Sequence, residues 1–382
     1  MMHVVLAGNY PAHTYEKLRA LLPETEFDLT AVDTPEAYEA MTDAEIIILR
    51  IFKAPREVIE RNPRLKMILR WGAGFDSVDI KAAGENGVYV TNTPGANAGA
   101  VSELAVLLML AVGRKLLCHT KSLAHGSWSK NTFLNSSFCL NGKTLGIIGA
   151  GNIGRQVAKK AQAFGAVTRY YDPFRLSPEM EQQWQLSFEP LEELLATSDI
   201  ITLHVPLTEE NHHMIGAREI AAMKDGVRIV NLARGELVDT EALKAALASG
   251  KCAAYVTDFP NSETAAMEGV VAIPHLGAST PESEDNCAMM AARQVRDYLD
   301  NGNIVNSVNL PVLSMAWAAK NRVCVLTKGA DAAAIAAAVP AVASASKTRG
   351  EYGYFLLDTD AQVDTDAIAA LPGVLRVRVL HQ

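Results

Sequence analysis

Residues 144–154 read Thr-Leu-Gly-Ile-Ile-Gly-Ala-Gly-Asn-Ile-Gly, or TLGIIGAGNIG. An apolar run typical of a strand ends at Gly149 and passes into the G-x-G-x-x-G of Gly149, Gly151 and Gly154. The helical text IGRQVAKKAQAF leads out. A bare G-x-G-x-x-G is weak evidence. A strand before it, a helix after it and Asp172 at the end of the next strand make it a dinucleotide loop. Gly149 suits the tight turn, Gly151 lets the backbone approach a pyrophosphate, and Gly154 lets helix and strand pack closely. The helix start offers unpaired N–H groups and a positive dipole end to phosphates. Asp172 is placed to accept hydrogen bonds from the adenosine ribose hydroxyls and would repel a 2′-phosphate. That favours NAD over NADP, although Arg175 lies three residues on.

Outward from this loop, short apolar runs alternate with helical patterns through residue 280. They include HVVLAG (3–8), EIIILR (45–50), KMILRW (66–71), VYVTN (88–92), TRYYD (168–172), DIITLH (199–204) and RIVNLA (228–233). The alternation predicts doubly wound parallel sheets with crossover helices. The text AGAVSELAVLLMLAVGRKLL (98–117) predicts one long buried helix, and a second is expected over 281–301. If both connect two domains, the central one is inserted into the first. The expected boundaries are 1–97 with 286–311, a substrate-binding domain, and 98–285, a nucleotide-binding domain. After Pro311 the text turns Ala-rich, and the strand and helix patterns over 318–382 follow the order βαββαβ of a ferredoxin-like unit.

A chain of 382 residues, 49% hydrophobic, has room for two or three cores. No apolar run reaches the roughly 18 residues of a membrane span. The opening MMHVVLAGNYPAH reads as a strand and turn rather than a signal peptide. A net charge of -8 disfavours a general nucleic-acid or anionic-membrane surface. Cys118, Cys139, Cys252, Cys287 and Cys324 are scattered without C-x-x-C spacing. They read as buried small hydrophobes in a reducing cytoplasm, not as a disulfide or metal framework.

Three polar stretches follow strands downstream of the loop: NLARGELVD (231–239), DFPNSE (258–263) and AIPHLGAST (272–280). Ligands bind at strand carboxyl ends in open α/β sheets. Oxidation of a 2-hydroxy acid needs a base near neutrality, a carboxylate to orient it and a planar cation for the substrate carboxylate. His275, Glu263 and Arg234 supply that set.

These motifs resemble the D-isomer-specific 2-hydroxyacid dehydrogenases. GAGNIG, LHVPLT (203–208), NLARGELVD and PHLGAST carry the likeness, with GAGFDSVD (72–79) and VYVTNTPGANAGAVSELAVLLML (88–110) upstream. Within the family, YVTDFP, HLGASTPESEDNCAMMA and DYLDNGNIVNSVNLP are similar to a bacterial D-3-phosphoglycerate dehydrogenase subgroup with a C-terminal ACT domain. The resemblance implies that Arg234 binds the substrate carboxylate and that Glu263 pairs with the acid/base His275. Gly149, Gly151, Asn152, Ile153, Gly154, Asp172, His204, Val205, Pro206, Leu232, Ala233, Arg234, Asp258, His275 and Gly277 would line NAD. Ala73 and Gly74 would offer N–H groups to the substrate carboxylate, and Arg50 and Arg70 would face a substrate phosphate. A homodimer formed through the nucleotide-binding domain and the segment 119–141 is implied, or a tetramer through the ACT-like unit.

Ile51-Phe52 and Trp71 stand where the family usually has serine or small residues, and such bulk near the expected phosphate site would shrink or redirect it. Oxidation of 3-phospho-D-glycerate to 3-phosphohydroxypyruvate, as in serine synthesis, therefore competes with reduction of hydroxypyruvate, glyoxylate or another 2-keto acid. A non-catalytic NAD(H)-sensing protein is a reading of another class. The ACT-like stretches 327–331 and 344–348 lack most of the polar groups of serine-sensing versions, which argues against serine feedback.

Overall fold

The structure, a computed structural model, describes residues 1–128 and 131–382. It divides into two compact units: Met1–Ala96 with Glu284–Gln382, and Asn97–Ser283.

The first unit holds β1 (Met2–Ala7), β2 (Phe27–Val32), β3 (Ile46–Leu49), β4 (Met67–Arg70) and β5 (Tyr89–Asn92). All pair parallel in the order β2-β1-β3-β4-β5, with Val4, Ile46, Met67 and Tyr89 in one register row. Runs such as IIIL in β3 are buried throughout, as a parallel sheet covered on both faces demands. The strand order reverses between β1 and β3, so their carboxyl ends form a topological switch point.

The second unit holds β6 (Thr144–Ile148), β7 (Val167–Tyr171), β8 (Ser187–Phe188), β9 (Ile200–Leu203), β10 (Val227–Asn231), β11 (Cys252–Thr257) and β12 (Val270–Ala272). They form one parallel sheet ordered β12-β11-β10-β9-β6-β7-β8, whose switch point lies between β6 and β9. The long helix expected over 98–117 is corrected to two. Ala98–Gly113 is largely buried, and Leu116–Ala124 buries no residue. The break comes where the Gly113 carbonyl accepts the Phe138 N–H at 2.8 Å and Lys115 turns left-handed at φ 50°. The expected burial of all five cysteines is corrected too. Cys118 and Cys139 are exposed, because Cys118 lies on that unburied helix and Cys139 in the loop before β6.

The C-terminal strands β13 (Asn321–Lys328), β14 (Ala343–Arg349), β15 (Tyr352–Thr359) and β16 (Val374–His381) pair antiparallel in the order β14-β15-β13-β16. With helices Ala332–Ala337 and Thr365–Ala369 they make the βαββαβ unit. Val323, Val325, Phe355 and Leu357 pack on one face with Ile335, Val339 and Ile368. Cys324, Leu326, Tyr354 and Leu356 alternate to the other face. There they join Tyr89, Tyr298, Ile304 and Leu310 in the core of the first unit. Arg322 and Asp358, both fully buried, pair through two bonds of 2.6 and 2.9 Å. The remaining guanidinium donors bond the carbonyls of Asn301, Met315 and Ala316 at 2.8 Å. Arg378 reaches the carbonyls of Tyr298 and Leu299 at 3.2 Å, and the Tyr354 hydroxyl donates to Gly302 O at 2.6 Å. The sheet thus satisfies the orphan carbonyls at the end of the helix Pro281–Asn301.

Candidate active site

Within the second unit the nucleotide loop is built as its spacing demands. Gly149 lies at φ 97°, and a Cβ there would meet His204 O at 2.6 Å. A Cβ on Gly154 would overlap the Gly149 carbonyl oxygen, so the helix Asn152–Ala163 approaches β6 only because that atom is absent. Open space lies where a Gly151 Cβ would stand, at the N-cap of that helix, next to Asn152 and Ile153. Asp172 follows β7. Its Oδ2 accepts from Ala150 N–H and its Oδ1 from Phe174 N–H, both at 2.9 Å, which leaves lone pairs on both oxygens for ribose hydroxyls. Arg175 is engaged bidentately by Glu181 at 2.9 and 3.2 Å. This cradle fits NAD, and Arg175 is committed away from a 2′-phosphate.

His204, Val205 and Pro206 follow β9, beside the loop. His204 is half-buried, and desolvation of its ring pushes the imidazole down to about 3 and keeps it neutral. Its Nε2 meets Thr202 Oγ1 at 2.9 Å. Leu232 and Ala233 are buried after β10. Asn231 folds the turn that follows: its Oδ1 accepts from Ala233 N–H at 3.1 Å, and its Nδ2 donates to Arg234 O at 2.7 Å.

One aromatic ring gathers the chemistry. The Arg234 guanidinium lies 4.9 Å from the Phe259 ring centroid, and the His275 imidazole packs 4.2 Å from the same ring. His275 follows β12 in the left-handed region at φ 41°, a conformation rare for a side chain larger than glycine's and characteristic of functional sites. Its N–H donates to Asp258 O at 2.9 Å. The Asp258 carboxylate beneath is 2% exposed and accepts from Gly277 N–H at 3.3 Å, while its Oδ1 is unpartnered. Burial pushes this carboxyl up to about 6, against the opposing pull of the Gly277 N–H and of Arg234. Sequence reading missed Phe259. Its position directly after Asp258 was the available signal.

Glu263 is placed differently from the expected pairing with His275. Asn261 Oδ1 accepts from the N–H groups of Glu263 and Thr264 at 3.0 and 2.7 Å and starts a short 3-10 turn. From there the Glu263 carboxylate, 45% exposed, takes Lys244 Nζ at 2.8 Å.

Within the first unit, Gly72 N–H donates to Thr93 Oγ1 at 2.8 Å and Ala73 O accepts from Asn92 Nδ2 at 2.7 Å. These bonds fix the turn that carries Ala73 and Gly74 after β4. Arg70 at the end of β4 donates through Nε to Ser77 Oγ at 3.2 Å and through Nη1 to Trp71 O. Arg50 follows β3, bonds Asn9 O and pairs with Glu284 at 2.8 Å. The expected crowding by Phe52 is corrected, since it turns to stack on Tyr38 at 4.6 Å. Ile51, though exposed, stays beside the end of β1, its Cγ1 3.1 Å from where a Gly8 Cβ would stand. Of the three bulky residues, Trp71 is the one that joins Arg50, through Glu284.

Among the described residues no helix is long and apolar enough to cross a membrane, and no cluster of metal-ligating side chains is present. Of the segment 119–141, Ser129 and Lys130 lie outside the described residues.

Comparison with known proteins points one way. The family pattern described as "D-isomer specific 2-hydroxyacid dehydrogenase, NAD binding domain" matches residues 106–277. A hydroxypyruvate reductase of Thermotoga maritima is 40% identical over 281 residues, covering 70% of this chain and 90% of the relative. A D-3-phosphoglycerate dehydrogenase of Methanocaldococcus jannaschii is 39% identical over 289 residues, 74% of this chain. The match spans 55% of that relative, so the chain covers about half its length. The NAD+-bound 3-phosphoglycerate dehydrogenase of Entamoeba histolytica superposes with a TM-score of 0.70 at 29% identity, covering 82% of this chain and 99% of that one.

Proposed function

The chain belongs to the D-isomer-specific 2-hydroxyacid dehydrogenases, and from that premise we propose that it interconverts a D-2-hydroxy acid and the matching 2-keto acid with NAD. The observation that carries this reading is His275, held at φ 41° on the Phe259 ring that also receives Arg234.

Bound NAD supplies the hydride acceptor or donor. His275 takes the hydroxyl proton as hydride leaves C2, and returns it to the forming alkoxide in reduction. Arg234, with its planar fork, binds the substrate carboxylate and polarises the carbonyl. Glu263 is proposed to leave Lys244 and pair with the imidazolium when His275 is protonated. An ion pair as exposed as Lys244–Glu263 contributes about 0–1 kcal/mol and releases its partner easily.

Two substrate readings stand. Oxidation of 3-phospho-D-glycerate draws support from the phosphoglycerate dehydrogenases among the relatives. Reduction of hydroxypyruvate or glyoxylate is favoured by the carboxylate of Glu284 on Arg50. Pairing into a homodimer through the second unit is supported by the exposed Leu107, Leu116, Leu117, Leu123 and Trp128. A cytoplasmic location suits the five free cysteines.

The test is NADH oxidation against a panel of 2-keto acids, repeated with His275→Ala. General acid–base help is worth about 10²–10⁴ in rate, so kcat should fall by that factor while NADH still binds by fluorescence titration. A near-normal kcat would refute the role of His275. Turnover of none of these acids would favour the NAD(H)-sensing reading.

A further inference from the structure

The sheet order of the first unit puts a ligand crevice at the carboxyl ends of β1 and β3, independently of any relative. Gly8, Asn9 and Tyr10 follow β1 there, and Arg50 follows β3. Into this place the helix Pro281–Asn301 sets a carboxylate. Glu284 Oε1 accepts from Arg50 Nη2 at 2.8 Å, and Oε2 accepts from Trp71 Nε1 at 2.9 Å. Trp71 is buried and meets the Tyr10 ring edge-on at 5.0 Å, and the Tyr10 hydroxyl donates to Ile48 O at 2.8 Å. Arg50 lies 5.8 Å from the same ring and bonds Asn9 O.

We propose that Glu284 sets the substrate class at this crevice: with Arg50 and Trp71 it forms a neutral cluster that accepts an uncharged substrate tail and refuses a phosphate ester. The inference rests on the 2-keto acid reading above. A phosphate group binds arginine through the fork, and here that fork is committed to Glu284 and Asn9 O. The Glu284 side chain is 14% exposed and that of Arg50 25%. Displacing Glu284 would leave a mostly buried carboxylate without its cation and beside a second anion, the costly way to break such a pair. A hydrogen or hydroxymethyl tail demands no such exchange. The substrate class is therefore the short unphosphorylated 2-keto acids. Arg70 offers no substitute cradle, since its Nε and Nη1 serve Ser77 Oγ and Trp71 O.

The experiment compares kcat/KM for hydroxypyruvate and phosphohydroxypyruvate with NADH, in the unmodified chain, Glu284→Gln and Glu284→Asp. The unmodified chain should favour hydroxypyruvate by about 100-fold or more. Glu284→Gln keeps the length and an acceptor for Trp71 but removes the charge. It should shift the ratio toward the phosphorylated acid by about tenfold or more, chiefly through KM. Glu284→Asp keeps the charge and should not. Preference of the unmodified chain for phosphohydroxypyruvate overturns the proposal, whether or not the variants fold. So does an equal shift in Gln and Asp. If neither acid is turned over, the hydride reading fails, and Glu284 is judged by binding alone, with 3-phosphoglycerate titrated against tryptophan fluorescence. Saturable binding to Glu284→Gln and not to the unmodified chain upholds the inference; binding to both or to neither overturns it.

Discussion

Asp258 is the residue on which acid and base chemistry leave a mark on stability. Its carboxyl is pushed up to about 6 in the folded chain, against about 3.9 in an unfolded one. The folded state therefore holds the proton more tightly. Stability is highest below the unfolded value, falls as pH rises from about 4 to 6, and stays reduced above that. At about 1.4 kcal/mol per pKa unit the cost at neutral pH is on the order of 2–3 kcal/mol. Asp258→Asn removes the charge and keeps an acceptor for Gly277. Its melting temperature should match the unmodified chain near pH 4 and exceed it at pH 7–8. A difference independent of pH would show that burial of the charge is not the cause. The trio proposed for catalysis was legible as residue types: a histidine, an arginine and a carboxylate, each after a strand. What organises them was not. Phe259 reads as one apolar residue among many until Arg234 and His275 are seen on its ring. Glu284 lies 234 residues from Arg50, and no local pattern announces that contact.

The element that carries the cofactor cradle is the turn from β6 into the helix Asn152–Ala163. Its close approach depends on Gly154, where a methyl group would overlap the Gly149 carbonyl. Gly154→Ala should push helix from strand, weaken NADH binding by about tenfold or more and lower the melting temperature, because the backbone cannot yield as a flexible side chain can. Unchanged NADH affinity by titration would contradict this. Elements with continuous apolar text and glycine punctuation were legible, since parallel strands buried on both faces read that way. β2 was not, because this edge strand, FDLTAV, buries only its first and last residues. Nor was the break after Gly113. It is set by Phe138, whose N–H takes the Gly113 carbonyl and whose ring lies 3.0 Å from where a Gly113 Cβ would stand.

At the scale of the molecule, the buried pair Arg322–Asp358 joins the C-terminal sheet to the end of the helix Pro281–Asn301. Arg322→Met strands a buried carboxylate and should cost about 3–5 kcal/mol in urea unfolding. The double variant Arg322→Met/Asp358→Leu should recover much of that loss, since no lone charge remains. A double variant no more stable than the single would mean that the carbonyl contacts of Arg322, not its charge, hold the junction. The βαββαβ order was legible from strand alternation. That its two faces serve two different cores was less so, because alternation shows that both faces are apolar and not what each one meets. The same arrangement governs whether the tail is a detachable module. With helices on one side and Tyr89, Tyr298, Ile304 and Leu310 on the other, both faces of the sheet carry packed apolar side chains. A stop codon near residue 312 would leave those four side chains facing water, and such a fragment is expected to clump rather than persist as a smaller enzyme. Transplanted onto another protein, the tail would carry a sticky face of its own.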